Sequence, residues 1–173
     1  TPVDAIVINK RMGQAQAYFR AALERGGRFI QERVRAVRPL DASRIEVRTD
    51  SARREFDAIV VAAGAWSKQF ASQIGDAVSL DTERGYHISF KVESEPLLAR
   101  PVCAPDRQFV LSPMHDGVTL VSGDELAGLE ATPDYRRVRA LVPSACELLP
   151  GLRGAPIQRE WMGYRPSTPD SLP

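Results

Sequence analysis

The stretch Trp161-Met162-Gly163-Tyr164-Arg165-Pro166 sets one arginine among aromatic and small residues near the end of the chain. A planar guanidinium can make two parallel charge-assisted hydrogen bonds. On residue type alone, an arginine near a strand end is more simply a surface ion pair. A second segment, Asp57-Ala58-Ile59-Val60-Val61-Ala62-Ala63-Gly64-Ala65-Trp66-Ser67, runs from apolar residues into small ones. Backbone of that kind can approach a bulky ligand closely at the carboxyl end of a strand, where open α/β sheets bind ligands. A tight strand-to-helix turn around Gly64 explains the same pattern. Tyr86 could donate its hydroxyl to a carboxylate, although half-buried packing is the simpler role at a strand start. His87 beside it reads as a buried, hydrogen-bonded imidazole rather than a base. His115 reads as a turn residue, and Asp124-Glu125 as solvent-exposed acids. No Ser-His-Asp order, metal-ligand cluster or phosphate loop stands out.

These residues need elements to hold them. Met12, Ala15, Phe19, Ala22 and Leu23 recur at helical spacing, and Arg25-Gly26-Gly27 supplies the stop; this predicts a one-sided helix covering a sheet. Arg28 to Val37 alternates as a strand, Pro39 to Ala42 turns, and Arg44 to Thr49 pairs with it. Phe56 to Gly64 is continuously apolar, the mark of a strand buried on both faces of a parallel sheet. Trp66 to Ile74 is a short helical stretch ending at Gly75. Tyr86 to Val92 alternates, and Phe109–Ser112 with Val118–Ser122 flank His115-Asp116-Gly117 as a hairpin. Thr132-Pro133-Asp134 reads as a helix start, Pro143 as a kink or break in that helix, and Pro150-Gly151 as its end. Pro156 to Tyr164 is a final strand. The predicted class is α+β: an antiparallel-rich mixed sheet with flanking helices, plus one strand of a nucleotide-type sheet.

With 173 residues the chain can bury a real core. A net charge of +1 gives no field that would draw nucleic acid or a membrane, so no nucleic-acid partner is expected. The alternating Arg33-Val34-Arg35-Ala36-Val37-Arg38 is one solvated strand face. Cys103 and Cys146 lack metal spacing and are expected to be free, buried thiols of a reducing, cytoplasmic compartment, with a single long-range disulfide as the alternative. A peripheral place at the inner membrane face stays compatible with that. The opening Thr1-Pro2-Val3-Asp4 and the closing Ser171-Leu172-Pro173 suggest the interior of a longer protein.

Ala62-Ala63-Gly64-Ala65-Trp66-Ser67 resembles the second flavin-contacting motif of the D-amino-acid oxidase superfamily. That superfamily includes D-amino-acid dehydrogenases, glycine oxidase and monomeric sarcosine oxidase. Leu80 to His87, with Glu83-Arg84-Gly85-Tyr86, resembles the segment that passes the flavin ring into the substrate domain. Phe109-Val110-Leu111-Ser112-Pro113 with Gly117 and Gly123 resembles the substrate-sheet hairpin. The most specific match is Trp161 to Pro173, similar to a Trp-x-Gly-x-Arg-Pro-x-Thr-Pro-Asp segment. The resemblance implies an FAD-dependent enzyme oxidising the C–N bond of a small, D-configured amino acid. Glycine, sarcosine or a modified tRNA base is the alternative substrate, and a non-catalytic module the alternative class.

By the same resemblance, Arg165 anchors the substrate carboxylate, with Tyr86 and His87 beside it. Val34, Ala62, Ala63, Gly64, Ala65, Trp66 and Gly85 lie against the flavin, no metal is needed, and Trp161 packs beneath Arg165. Val110 stands where some relatives carry a substrate-binding tyrosine. The implied organisation is one folded unit: 1–76 FAD-domain-like, 77–160 substrate-domain-like, and 161–173 returning to the FAD domain. The family's Gly-x-Gly-x-x-Gly turn does not occur in the sequence. The chain alone is therefore expected to hold no stoichiometric FAD and to be inactive. It is also expected to expose an apolar surface that pairs with further FAD-domain segments or with a second copy.

Overall fold

The computed structural model describes residues 4–5, 13–92, 97–115 and 117–170. They form two compact units, Thr1–Val61 with Gln69–Asp76, and Ala62–Lys68 with Ala77–Pro173.

In the first unit, helix α1 spans Gly13–Glu24; Met12 lies outside the described residues. The helix ends where Gly26 turns left-handed (φ 86°), so that Gly26 and Gly27 donate to the carbonyls of Leu23 and Ala22. Its expected apolar cover is thin. Phe19 packs edge-on against Phe29 at 5.0 Å, whereas Tyr18 is 79% exposed. The alternating 28–37 run divides into β2 (Arg28–Phe29) and β3 (Val34–Pro39). β2 pairs in parallel with β1 (Asp4–Ala5), and β3 joins β4 (Ile45–Thr49) and β5 (Arg53–Phe56) in an antiparallel sheet. Val37 and Val47, register partners, are its buried centre, and Gln73 Oε1 accepts the Val37 N–H at 2.8 Å. Glu32 accepts two 2.9 Å bonds from Arg54 and the Thr49 hydroxyl; those bonds hold its carboxyl down at about 2.

The apolar run after Phe56 is not the expected strand. β5 takes Phe56, and 57–63 has no ladder partner among the described residues. A strand needs a neighbour for its N–H and C=O groups, and without one Val60 is left 89% exposed. Among the described residues, the parallel pairing that does occur is the short β1–β2 pair. The chain then turns through a 3-10 turn (Gly64–Trp66), α2 (Ser67–Ala71) and a second 3-10 turn (Ser72–Ile74) that ends at left-handed Gly75, as expected.

The second unit is a five-stranded antiparallel sheet in the order β10-β6-β9-β8-β7. Its strands are β6 (Asp81–Lys91), β7 (Val102–Ala104), β8 (Phe109–Met114), β9 (Gly117–Glu125) and β10 (Ile157–Ser167). Period-two alternation gives the sheet two faces. On one, Tyr86, Ile88, Phe90, Phe109, Leu111, Val118 and Leu120 meet Val138, Ala145 and Leu152 in the core. Ile88, Leu111, Leu120 and Leu152 are almost wholly buried, and each contributes about 1.5–3 kcal/mol of transfer free energy. The final strand expected over Pro156 to Tyr164 is the edge strand β10, which runs on through Ser167; residues 171–173 lie outside the described ones.

Three local expectations change. The helix starts not at Thr132-Pro133-Asp134 but at Arg136: α3 is Arg136–Ala140, and Asp134 caps it from outside by accepting the Arg136 N–H at 3.0 Å. Pro143 does split the helix, opening α4 (Val142–Leu148). Cys103 lies exposed on edge strand β7, and Cys146 is half-buried, so neither is the buried thiol expected; both are free. In the β8–β9 hairpin, Met114 pairs with Gly117, and Asp116 lies outside the described residues. A Cβ on Gly117 (φ 148°) would sit 2.0 Å from the Phe90 carbonyl oxygen. Neighbouring strand β6, as much as the turn, thus demands this glycine.

Candidate functional site

The sheet face turned away from the core carries the residues able to do chemistry. On β10, Trp161, Gly163 and Arg165 alternate outward; on β6, their register partners are His87, Gly85 and Glu83. Gly85 and Gly163 therefore face each other and make a floor without side chains. Arg165 lies across one half of it: a Cβ on Gly85 would be 2.6 Å from a terminal guanidinium nitrogen. Trp161 leans over the other half, since a Cβ on Gly163 would be 2.8 Å from its six-membered ring. Trp161 stacks obliquely on His87 at 4.6 Å between centroids. Its indole is wide, and glycine 163 is where the surface leaves room for it. The result is a shelf with an aromatic pair at one end and a cation at the other.

Asp124 completes the cation end, where it accepts a hydrogen bond from the Arg165 guanidinium. The sequence predicts an exposed acid here, and Asp124 is 60% exposed, although plain strand alternation would put it on the core side with Ser122. A bulge overrides that alternation. The register shifts between Gly85 and Tyr86, Gly123 sits in it with φ 76°, and Asp124 comes opposite Gly85. One extra residue turns Asp124 to the open face and Glu125 to the core. Gly123 is the sequence signal that could have found it.

Tyr86 is separated from Arg165. It faces the core at 5% exposure, donates to Glu125 at 2.5 Å and accepts the Asp134 N–H at 3.2 Å. Burial, then the Glu125 bond, pushes its hydroxyl above the ordinary tyrosine range. A cleft of about 320 Å³ opens on that side, lined by Tyr86, Glu125, Asp134 and Arg137 among others. Period two sends neighbouring Tyr86 and His87 to opposite faces, so only His87 shares Arg165's side. Burial, and secondarily the Arg165 cation, holds His87 below the ordinary imidazole value and keeps it neutral. Val110 and its partner Val121 continue the same face with apolar groups.

Arg84 is fully buried on the core side. Its Nε donates to the Gly128 carbonyl at 2.6 Å, Glu125 stands 3.6 Å away, and the Tyr164 ring lies 5.5 Å from the guanidinium carbon. Tyr164 in turn meets Trp66 edge-on at 5.1 Å, which fixes the Ala62–Trp66 segment to the end of β10 within this unit. Gly64 is left-handed (φ 55°), with no heavy atom within 4 Å of where a Cβ would be. Ala62 and Gly64 are exposed and Ala65 is buried. Small residues with open space above the backbone fit the approach of a flat ring system. Val34 opens β3 in the first unit, half-buried and paired with Thr49. Among the described residues no three metal-ligating side chains cluster, and no helix is long and apolar enough to cross a membrane.

Comparison with known proteins bears on this arrangement. The family model described as FAD dependent oxidoreductase (DAO) matches residues 13–173. The chain is 35% identical over 156 residues to a D-amino-acid oxidase of Bradyrhizobium diazoefficiens, covering 88% of this chain and 37% of that protein. It is 36% identical over 118 residues to a glycine oxidase of Pseudomonas putida, covering 68% and 32%. Among solved structures, glycine oxidase from Geobacillus kaustophilus superposes with a TM-score of 0.75 at 25% identity, over 92% of this chain and 43% of that one. The L-proline dehydrogenase from P. horikoshii, 20% identical, shares the fold with a TM-score of 0.77 over 92% of this chain and 44% of that one. The chain thus spans roughly a third of the length of the curated relatives and, over residues 13–173, belongs to the DAO family of FAD-dependent oxidoreductases.

Proposed function

We propose that this chain supplies the substrate-facing sheet of a flavoenzyme that oxidises the C–N bond of a small, D-configured amino acid. The product is an imine, which water hydrolyses to a 2-oxo acid and ammonia. The observation that carries the reading is Arg165, laid on the Gly85 floor of an open sheet face with neutral His87 and Trp161 beside it. The guanidinium has five N–H donors, enough to keep Asp124 and still grip a ligand carboxylate. Fixing the carboxylate there orients the α-carbon, and orientation is a large part of such a barrier. Bound FAD would supply the acceptor for the two electrons, taken as a hydride from the α-carbon. Ala62, Ala63, Gly64, Ala65 and Trp66 would line it through backbone, and the open space at Gly64 supports that assignment.

Glycine or sarcosine is the second reading, favoured by the glycine oxidases among the relatives. Both readings use the same carboxylate anchor. A substrate profile of the full-length flavoenzyme separates them: D-alanine and larger D-amino acids turned over faster than glycine supports the first, and the reverse order supports the second. The 173-residue chain, lacking the Gly-x-Gly-x-x-Gly turn, is proposed to hold no stoichiometric FAD. About one flavin per chain after dialysis contradicts that. The exposed Val60 run is proposed as the surface on which further FAD-domain segments pack, and as the origin of self-association without them.

A further inference from the structure

We propose that Asp124 is the site's ammonium-recognition residue, so that the open sheet face binds α-amino acids as zwitterions and discriminates against 2-hydroxy acids. This rests on Arg165 as the carboxylate anchor.

Three observations place Asp124 in that role. The Gly123 bulge, with φ 76° and a register shift opposite Gly85, turns Asp124 out of the core face to which plain alternation would send it. Its carboxylate contacts the Arg165 guanidinium directly, at the edge of the Gly85 floor. Asp124 remains 60% exposed and Arg165 49%, so both keep donor or acceptor capacity towards a ligand. A contact pair of one cation and one anion is the charge-inverted image of an α-amino acid, whose carboxylate and ammonium sit one carbon apart. Carboxylate on Arg165 and ammonium on Asp124 satisfies all four charges. A 2-hydroxy acid offers Asp124 only a neutral hydroxyl. Of the other nearby acids, Glu125 is committed by the same bulge to Tyr86 and Arg84 on the core side, and Glu83, the register partner of Arg165, accepts the Ser167 hydroxyl at 2.9 Å.

The test is an NMR titration of the 173-residue chain. It contains two histidines, one in the site and one, His115, in the β8–β9 turn as an internal control. Sodium D-lactate and D-alanine are titrated separately while the His87 imidazole signals are followed. Wild-type chain is expected to bind D-alanine about fivefold more tightly than D-lactate, the strength of one exposed charge pair. Asp124→Asn, an isosteric change at an exposed position, is expected to bring that ratio close to one while D-lactate still binds. Equal affinities in the wild type, or an unchanged ratio in Asp124→Asn, overturn the proposal. If Arg165→Leu then abolishes binding of both ligands, the anchor stands without it. If neither ligand moves His87 in the wild type, the anchor itself fails and the proposal falls with it.

Discussion

Gly85→Ala separates folding from binding at one position. Gly85 lies within β6 without a positive φ, so an alanine fits the backbone there. Replacing glycine inside a strand removes its excess chain entropy, a gain of about 0.5–1 kcal/mol. Against that stands one contact: the new Cβ would be 2.6 Å from the Arg165 terminal nitrogen and 3.1 Å from its guanidinium carbon. Those atoms end a flexible, half-exposed side chain, so the guanidinium moves and the strand does not. A carbon and a nitrogen in contact need about 3.5 Å, which displaces the guanidinium by roughly 1 Å. Misplacement on that scale costs up to about a hundredfold in an oriented reaction. Gly85→Ala is therefore expected to leave the denaturation midpoint of the chain unchanged or raised, and to weaken D-lactate binding at least several-fold. Urea denaturation and the His87 titration measure the two. Unaltered ligand affinity in a stably folded Gly85→Ala refutes the placement of Arg165 on this floor.

Gly117→Ala is expected to do the opposite, since its Cβ meets the Phe90 carbonyl at 2.0 Å and its φ is 148°. The backbone term alone costs about 1–3 kcal/mol, read as a lowered urea midpoint, and binding follows folding. Tyr86→Phe strips a donor from Glu125 and an acceptor from the Asp134 N–H. It is expected to cost about 1–3 kcal/mol of stability while leaving D-lactate affinity unchanged, because Tyr86 lies on the other face. His87 is expected to titrate below its ordinary 6.5, and Arg165→Leu to raise it by removing a neighbouring cation. A lowered folded value means the unfolded chain takes up the proton first. The stability linked to neutral His87 is present above pH 6.5 and lost as pH falls through the folded value, measurable as urea midpoints from pH 7.5 to 5.

Regular pattern was the readable part of this chain. The alternation of Tyr86 to Val92, the β8–β9 hairpin and the Pro143 break each announced a real element because one local rule governs each. The Arg165 segment was legible through its residue order rather than its periodicity. Phe56 to Gly64 misled because an apolar run states what a strand would need around it, and no described neighbour provides it. Tyr86 and His87 are adjacent in β6, and period two puts them on opposite faces, so the pair that the resemblance implies beside Arg165 is reduced to His87. Asp124 is exposed, as its place after a glycine suggests, but its contact with Arg165 depends on a bulge at Gly123 that strand alternation does not announce. The floor formed by Gly85 and Gly163 belongs to strands far apart in sequence, and only the register of β10 on β6 brings the two together.

The central claim is that Arg165 anchors the substrate carboxylate, and steady-state kinetics of Arg165→Leu in the full-length flavoenzyme test it most directly. Arg165 is half-exposed in this chain, but bound FAD and substrate would cover it, and truncating one partner of such a covered, hydrogen-bonded charge pair costs about 2–5 kcal/mol, a loss of roughly 30-fold or more. The expected result is a fall of at least that size in kcat/KM for D-amino acids, with the visible flavin spectrum unchanged. Near-normal kcat/KM in Arg165→Leu contradicts the account.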